Sequence, residues 1–177
     1  QVTSPQVTYS RKNVARLAGT TDVVVIGAGH AGLAMSYVLG EHGVPHVVLE
    51  RGEVANSWKQ ERWDSLRLLT PNWRTQLPGC AYDGDDPDGY MSIPELVEFI
   101  EDYARSAKAP VETHTAVESV QRIGDRYRID TSRGSWACNA VVIATGACNR
   151  ASVPGLAEHV PANVTQLTAF DYRRPEQ

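Results

Sequence analysis

Three glycines at the spacing Gly-x-Gly-x-x-Gly, Gly27, Gly29 and Gly32, form the strongest chemical signal in the sequence. In such a loop the first glycine permits a tight turn, the second lets a pyrophosphate approach the main chain, and the third lets a helix pack closely on a strand. Glu50 follows Gly32 by 18 residues, where a carboxylate can accept hydrogen bonds from ribose hydroxyls. The pattern predicts a dinucleotide-binding site; the alternative is a glycine-rich turn in an unrelated α/β domain.

Other residues that could do chemistry carry weaker signals. His30 occupies a variable position of the glycine loop, and we expect no chemical role for it. The acidic run 83–88, interleaved with glycine and proline, is typical of a solvated turn, so we predict no metal site there. The cysteines Cys80, Cys138 and Cys148 are far apart and include no Cys-x-x-Cys pair. Free thiols suit a reducing compartment, and we expect a cytoplasmic protein.

The elements around the glycine loop follow a βαβ order. Residues 23–26 are a β-branched run typical of a strand buried on both faces. Apolar residues then recur at helical spacing until Gly43, and residues 46–50 predict a second buried strand that ends on the acidic residue. Residues 140–144 are another uninterrupted apolar run, as expected of a central parallel strand, and they lead into Thr145-Gly146. The fold class predicted is α/β.

The stretch between these strands is unusually long for a simple crossover. Residues 51–91 are rich in tryptophan and proline without periodicity, which favours a functional loop. A capping box at Ser92 predicts a helix to about Ala107. Strand-like runs follow at about 111–114, 116–122, 127–131 and 135–138, and the last three predict an antiparallel meander. This layout suits FAD better than NAD, because an NAD domain usually continues with more βα units.

Composition bounds the function classes. The 177 residues, 42% of them apolar, suffice for one globular domain. A net charge of -4 without a Lys/Arg cluster argues against nucleic acid or anionic lipid as a partner. The longest apolar runs are far shorter than the roughly 20 residues that a membrane span requires. Residues 1–20 are mostly polar, begin with Gln1 and lack a secretory h-region, so we expect a polar extension there.

The chain resembles the N-terminal half of flavin-containing monooxygenase-like FAD oxidoreductases over about residues 22–177. It is similar in the same order to bacterial flavoprotein monooxygenases and to the indolepyruvate monooxygenase type. The motifs that carry the resemblance are Val24 to Gly32, Leu49-Glu50-Arg51, Ser57-Trp58, Trp63 to Pro71, Tyr90-Met91-Ser92, Ala144-Thr145-Gly146 and Val153-Pro154-Gly155-Leu156.

The resemblance implies a Rossmann-like FAD-binding domain of the glutathione-reductase type over residues 21–150. This domain would combine a parallel sheet with a three-stranded antiparallel meander and be incomplete at its C-terminus. Residues 151–177 would then be a linker toward a missing NADPH-binding domain. A C-terminal segment normally returns to complete the FAD domain in this family, so a partner chain or a missing C-terminal half is expected to supply it.

The resemblance also implies roles for single residues toward FAD. The alternative interpretation is that Trp58 and Trp63 are core aromatic residues and that Arg67 is a surface cation. The residues implied are Gly27, Gly29, Ala31 and Gly32 at the pyrophosphate, Glu50 and Arg51 at the adenosine side, Trp58 along the ribityl and flavin region, Arg67, Thr70 and Pro71 past the isoalloxazine ring, Asn72 as a flavin-side polar group and the one tentative catalytic residue, Val117 at adenine through its main chain, and Ala144 and Gly146 along the cofactor's path.

The implied function is the FAD-binding portion of an NADPH-dependent flavoprotein monooxygenase that acts on a small organic substrate. The flavin carries out the oxygen chemistry, so no acid/base triad is expected. NADPH is expected only for a full-length protein, because the family's second glycine fingerprint would follow the stretch that matches Thr165-Gln166-Leu167 and is not present. Thr168-Ala169 stand where close relatives commonly carry His-Ser. A thiol-disulfide flavin reductase would need a Cys-x-x-Cys pair.

One alternative from a different class stays open. The chain is then a non-catalytic dinucleotide-binding fragment or a truncated paralogue, inactive by itself. The single glycine fingerprint in the 177 residues favours this alternative for the chain alone.

Overall fold

The computed structural model describes residues 17–147 and 150–177. Its centre is a parallel sheet whose strands lie in the spatial order β10 (Ala140–Ile143), β2 (Val23–Ile26), β3 (His46–Leu49) and β6 (Val111–Glu112). Helix α1 (His30–Glu41) joins β2 to β3, which confirms the predicted βαβ unit.

The parallel sheet is covered on both faces, as the β-branched run at 23–26 predicts. Val23 and Val25 belong to a core that also contains residues of α1 and of helix α3 (Ile93–Ser106). Val24 and Ile26 point the other way, into a second core. Because strand side chains alternate between faces, all four residues of β2 are buried. The second long helix and its capping box, formed by Ser92 and Glu95, are confirmed.

The second core is closed by the predicted antiparallel meander. Its strands are β7 (Val117–Ile123), β8 (Arg126–Thr131) and β9 (Gly134–Cys138), and they pair in chain order. Ile129 and Cys138, both fully buried, pack from the meander against β2 and β3. The fold class expected from the sequence, an α/β domain of the FAD-binding Rossmann type with an added meander, is confirmed.

Part of the predicted polar extension is a strand instead. Residues 1–20 were expected to lie outside the fold, but β1 (Leu17–Thr20) pairs in parallel with β9 at the edge of the meander. The main chain of β1 also passes close to an aromatic ring, because a Cβ added to Gly19 would lie 2.4 Å from the ring of Trp136. Only a glycine lets the main chain approach that ring so closely. Residues 1–16 lie outside the described residues.

The loop over residues 51–91 is ordered by short elements. It contains α2 (Asn56–Gln60), a 3-10 turn at Asn72–Arg74 and a hairpin of β4 (Gln76–Leu77) and β5 (Cys80–Ala81). Next to the hairpin, the hydroxyl of Tyr103 on α3 donates a 2.9 Å hydrogen bond to the carbonyl of Pro78. Tyr103 also stacks on Tyr37 of α1, and burial raises its pKa to about 12. Through these contacts the hairpin is fixed on α3, which in turn packs on α1.

One strand differs in position from the simplest sequence interpretation. The strand at 140–144 was expected to be central, but among the described residues β10 lies at a sheet edge, beside β2. The segment 151–177, whose linker role stays a prediction, contains a 3-10 helix at Gly155–His159 and returns to the 51–91 loop, where the N–H of Asp64 donates to the carbonyl of Arg173. Within the described ranges, no helix has the length and apolarity needed to span a membrane.

Candidate dinucleotide-binding site

The three glycines of the loop sit in three different environments. Gly27 has a φ of +107°, and a Cβ there would come within 2.6 Å of the carbonyl oxygen of Ala144. A Cβ on Gly32 would lie 1.9 Å from the carbonyl oxygen of Gly27, so helix α1 touches the end of β2 directly. Gly29 differs from both, because a Cβ on it would meet nothing within 4 Å. The loop is therefore packed at its first and third glycines and open at its second, as a main chain that receives a pyrophosphate requires.

The N-terminus of α1 is built to receive negative charge. Gly29 is its N-cap residue and provides no side-chain cap, and no acidic residue lies in the first turn. Ala31, the second residue of the helix, is exposed, whereas Gly32 is buried. The first main-chain amides of a helix have no partner within it and lie at the positive end of its dipole. An anionic group is therefore favoured at this end of α1.

Glu50 holds the glycine loop in place. It directly follows β3, is 7% exposed, and its Oε2 accepts a 2.8 Å hydrogen bond from the N–H of Ala28. Its Oε1 accepts a 2.9 Å hydrogen bond from the N–H of Gly52. A carboxylate with two main-chain donors is well satisfied despite its burial. The structure thus places Glu50 beside the loop, where it links β3 to the centre of the fingerprint.

Ala55 completes the support of Ala28. The N–H of Ala55 donates a 3.1 Å hydrogen bond to the carbonyl of Ala28, so both main-chain groups of Ala28 have partners. Ala55 is 1% exposed and has a φ of 59° and a ψ of 24°, a left-handed conformation that costs a non-glycine residue about 1 kcal/mol or more. Sequence reasoning missed Ala28 and Ala55, because their contribution comes from the main chain and carries no residue-type signal.

The end of β10 forms the other wall of the loop. The N–H of Ala144 donates to the carbonyl of Ile26 at 2.9 Å, and the Ala144 side chain would lie 3.4 Å from a Cβ on Gly32. Gly146 follows with a φ of +79°, a conformation that glycine adopts at little cost. Because Ala144 and Gly146 are small, they occupy little space beside the loop. The structure therefore brings Ala144 to the glycine loop.

The residues implied at the adenosine side are Glu50, Arg51 and Val117. Arg51, the residue after Glu50, is exposed and forms an ion pair with Glu61. Val117 begins β7 and packs against the second core, which contains Ile26 and Leu49. The N–H of Thr115, two residues before it, donates to the main-chain carbonyl of Glu50 at 2.8 Å. Glu50 is thus in contact with the segment that leads into the meander, and Glu61 holds the guanidinium of the neighbouring Arg51.

The residues implied at the flavin side lie on the 51–91 loop, not on the glycine loop. Trp58 is half-buried against the first core, with the guanidinium of Arg62 5.1 Å from its ring centroid. This environment matches the alternative of a core aromatic. Arg67 is exposed, and its Nη1 donates a 2.7 Å hydrogen bond to the carbonyl of Tyr90. Thr70 is exposed.

Asn72 is the most unusual polar side chain of that loop. It is 6% exposed, and its Nδ2 donates a 2.8 Å hydrogen bond to the main-chain carbonyl of Asp86. Its Oδ1 is buried and has no hydrogen-bond partner among the described residues. A buried acceptor without a donor costs free energy, about 1–3 kcal/mol in typical cases. Asn72 is therefore the one implied flavin-side residue with an unused, buried acceptor.

The histidine, acidic and cysteine candidates from the sequence have the following environments. His30 is exposed at the first turn of α1. Within the described residues, no group of three or more His, Cys, Asp or Glu side chains is arranged to hold a metal ion. Cys80 and Cys138 are free thiols, and Cys148 lies outside the described residues.

The family model described as pyridine nucleotide-disulphide oxidoreductase matches residues 24–174. This chain belongs to that family. The match covers the glycine loop, Glu50 and Ala144, the residues that the fold brings together. Although the family description refers to a disulphide, the 177 residues contain no Cys-x-x-Cys pair.

Relatives within the family support the resemblance to flavin-containing monooxygenase-like oxidoreductases. The chain is 36% identical over 157 residues to an uncharacterized CzcO-like oxidoreductase of Geobacillus kaustophilus, covering 88% of this chain and 44% of the relative. It is 33% identical over 165 residues to the indole-3-pyruvate monooxygenase YUCCA6 of Arabidopsis thaliana, covering 86% and 39%. The resemblance is thereby confirmed, and the chain spans less than half the length of these relatives.

A solved structure gives the same result in three dimensions. The flavin-containing monooxygenase of Stenotrophomonas maltophilia superimposes with a TM-score of 0.69 at 30% identity, over 77% of this chain and 41% of that one. Sequence and fold therefore agree that the chain corresponds to one portion of a flavoprotein oxidoreductase.

Proposed function

We propose that this chain is the FAD-binding portion of an NADPH-dependent flavoprotein monooxygenase or related oxidoreductase that acts on a small organic substrate. The observation that carries the proposal is the open approach at Gly29, flanked by the packed Gly27 and Gly32 and backed by Glu50. That arrangement fits a pyrophosphate. A dinucleotide site in a chain similar to flavin monooxygenases points to FAD, which supplies the redox and oxygen chemistry when bound.

The residues of this chain would bind and orient the cofactor. The glycine loop and the first amides of α1 would hold the pyrophosphate. Glu50 would fix the loop and would accept hydrogen bonds from the ribose hydroxyls through its remaining lone pairs. Val117 would contact adenine through its main chain. The buried Oδ1 of Asn72 would accept a hydrogen bond on the flavin side, since it lacks a donor in the described chain. No residue of this chain is assigned a proton-transfer role.

A longer polypeptide or a partner chain would supply the rest. The edge of β10 supports this part of the proposal, because Val141 and Val142 pack into the cores on the two faces while Ile143 is 74% exposed. Exposed main-chain groups on an edge strand can pair with a further strand. We propose that NADPH and the substrate bind mainly outside these residues and that the protein is cytoplasmic.

The deciding experiment is reconstitution of the purified chain with FAD. Removal of excess cofactor should leave a visible flavin spectrum in the wild type and none in Gly29→Asp, because a carboxylate placed in the open approach repels the pyrophosphate. Gly40→Asp is the matched control: Gly40 is an exposed glycine of the same helix with equally free space, so this variant should retain flavin. A colourless wild-type chain, or equal flavin in both variants, contradicts the proposal.

A second candidate is a dinucleotide-binding fragment without activity, since the residues assigned to the site bind and orient a cofactor and none is assigned a proton-transfer role. It predicts that FAD binds but that NADPH does not bleach the flavin spectrum under anaerobic conditions. Bleaching by NADPH in the chain alone would eliminate this candidate.

The role of the β10 edge is tested by complementation. Ile143→Glu should leave the stability of this chain nearly unchanged, because the side chain is mostly exposed. It should weaken association with a separately produced C-terminal half of the longer protein. Equal association of wild type and variant would show that the edge is not used.

A further inference from the structure

Arg173 fastens the C-terminal segment to the chain around α2. Its Nη1 donates a 3.0 Å hydrogen bond to the carbonyl of Arg62, and its Nη2 donates to the carbonyl of Gln60. The carbonyl of Arg173 in turn accepts a 2.9 Å hydrogen bond from the N–H of Asp64. These contacts join positions 111 and 113 residues apart, and we refer to them as the Arg173 clamp.

The segment that carries Arg173 has its own local order. The carboxylate of Asp171 accepts hydrogen bonds from the hydroxyl and the N–H of Thr168, which hold the pKa of Asp171 below its ordinary value. The side-chain oxygen of Gln177 accepts hydrogen bonds from the main-chain N–H groups of Arg173 and Arg174. Arg173 therefore reaches α2 from a structured turn, so that its guanidinium loses less freedom on binding than one on a free tail would.

The clamp grips the main chain on both sides of Glu61. Since the carbonyls of Gln60 and Arg62 are both held, the position of Glu61 between them is fixed. The Glu61 side chain is 18% exposed, and its Oε1 accepts a hydrogen bond from Nη2 of Arg51. Its Oε2 is buried without a hydrogen-bond partner among the described residues, so Arg51 is the cation that offsets this carboxylate. The location of the Arg51 guanidinium thus depends on the location of residues 60–62.

Arg51 connects this arrangement to the cofactor site. It is the residue after Glu50, which holds Ala28 at the centre of the glycine loop. A guanidinium beside the adenosine half of a dinucleotide attracts the negative charge of the phosphates and can donate several hydrogen bonds. A guanidinium directed elsewhere provides neither interaction, so its orientation matters for affinity.

We propose that Arg173 is a positioning residue for FAD. By holding the main chain of residues 60–62 it fixes the position of Glu61, and the Glu61 carboxylate in turn holds the Arg51 guanidinium at the adenosine side. This inference rests on the proposed function, since it assumes that FAD is the ligand. Its consequence is that the C-terminal segment controls cofactor affinity although it does not belong to the glycine loop.

The affinity test compares two neighbouring arginines. Arg173→Ala should weaken FAD binding about three- to tenfold in a flavin fluorescence titration, whereas Arg174→Ala should leave the dissociation constant unchanged, because Arg174 is exposed. Arg173→Lys should recover part of the affinity, since an ammonium can still donate to a carbonyl. Equal affinities for wild type and Arg173→Ala would overturn the inference.

A double-substitution cycle separates positioning from general support of the fold. If Arg173 acts through Arg51, then Arg173→Ala should have no further effect on FAD affinity in an Arg51→Ala background. An equally large effect in both backgrounds would show that Arg173 acts by another route. If Arg173→Ala does not fold, Arg173→Lys and Glu61→Gln replace it, and their effects on FAD affinity are compared with and without Arg51→Ala. Circular dichroism checks that each variant is folded.

Hydrogen exchange on the cofactor-free chain provides a readout that does not depend on FAD. Arg173→Ala should speed exchange both at residues 60–64 and at residues 51–55, and Arg174→Ala at neither. Faster exchange confined to residues 60–64 would overturn the step from Glu61 to Arg51. A wild-type chain that binds no FAD would contradict the proposed function, whereas the exchange result would still decide whether the clamp controls Arg51.

Discussion

The N–H of Ala28 donates a 2.8 Å hydrogen bond to Oε2 of Glu50, so the carboxylate that follows β3 holds the middle of the glycine loop. The second oxygen of the same carboxylate is used by the N–H of Gly52. Both partners are donors. Glu50 therefore stabilises the loop independently of any contact with ribose. Substitutions at this position test both the stability of the fold and the binding of the cofactor.

Glu50→Gln should destabilise the chain and weaken FAD binding together. A glutamine has one acceptor oxygen, so its NH₂ group would face the N–H of Ala28 or of Gly52. A buried donor left without an acceptor costs about 1–3 kcal/mol. Urea unfolding measures the loss of stability, and FAD titration measures the loss of affinity. Glu112→Gln, at an exposed position of β6, is the control, and an unchanged unfolding midpoint in Glu50→Gln would contradict the prediction.

Alanine should have opposite consequences at two glycines of one loop. Gly32→Ala places a Cβ 1.9 Å from the main-chain carbonyl oxygen of Gly27, so the helix must move, and we expect destabilisation of about 2–4 kcal/mol. Gly29→Ala meets nothing within 4 Å and should keep its stability while weakening FAD binding. Urea unfolding and FAD titration of both variants check this separation. Similar stability in the two variants would rule out the close contact.

Acid should weaken the start of α3 through its capping box. The hydroxyl and the N–H of Ser92 both donate to Glu95 and lower its pKa below the usual 4.5. A carboxylate with a lowered pKa stabilises the fold above its unfolded-state pKa, and this contribution is lost as the pH falls through the folded-state pKa. Unfolding measured from about pH 6 to about pH 3 should therefore show a steeper loss in the wild type than in Glu95→Gln.

The control for this pH dependence lies on the same helix. Glu98 is exposed, so Glu98→Gln should follow the wild-type profile. Identical profiles for Glu95→Gln and the wild type would show that the capping box does not contribute to the acid response.

The two cysteines described in the structure should differ in reactivity. Cys138, the last residue of β9, is fully buried in the second core with residues of β2 and β3, and burial raises the pKa of its thiol. Cys80 is half-buried on β5. Because the thiolate is the reactive form, Cys80 should be alkylated well before Cys138 in the folded chain, and both equally after unfolding in urea. Mass mapping in a Cys148→Ser background checks the order; equal rates before unfolding would contradict the packing.

Local patterns predicted the elements that position the site. The β-branched run at 23–26, the glycine fingerprint and the Ser92 capping box each depend on neighbouring residues, and each is found where expected. Glu50 lies beside the glycine loop because the βαβ unit brings the ends of the adjacent parallel strands β2 and β3 together. Its hydrogen bond to Ala28 could not be predicted, since every residue type except proline would offer the same N–H at position 28.

The features that sequence reasoning missed depend on distant main-chain contacts. Leu17–Thr20 pairs with β9 through main-chain hydrogen bonds and has mostly exposed side chains, so no alternating pattern marks it as a strand. The Arg173 clamp binds carbonyl groups, which every residue carries. The edge position of β10 is a property of the sheet order, and its apolar sequence resembles that of a central strand.

The side-chain amide of Asn139 donates a 2.8 Å hydrogen bond to Asp22 across 117 residues of sequence, next to the parallel pairing of β10 with β2. This distance along the chain affects the order of folding. The βαβ unit can form early, because its residues are close in sequence. Ala144 reaches the glycine loop only after β10 has paired with β2, and such long-range parallel pairing is slow. During synthesis, the glycine loop would leave the ribosome well before its wall. The cofactor should therefore be captured only after residues 140–144 have been synthesised and have paired with β2.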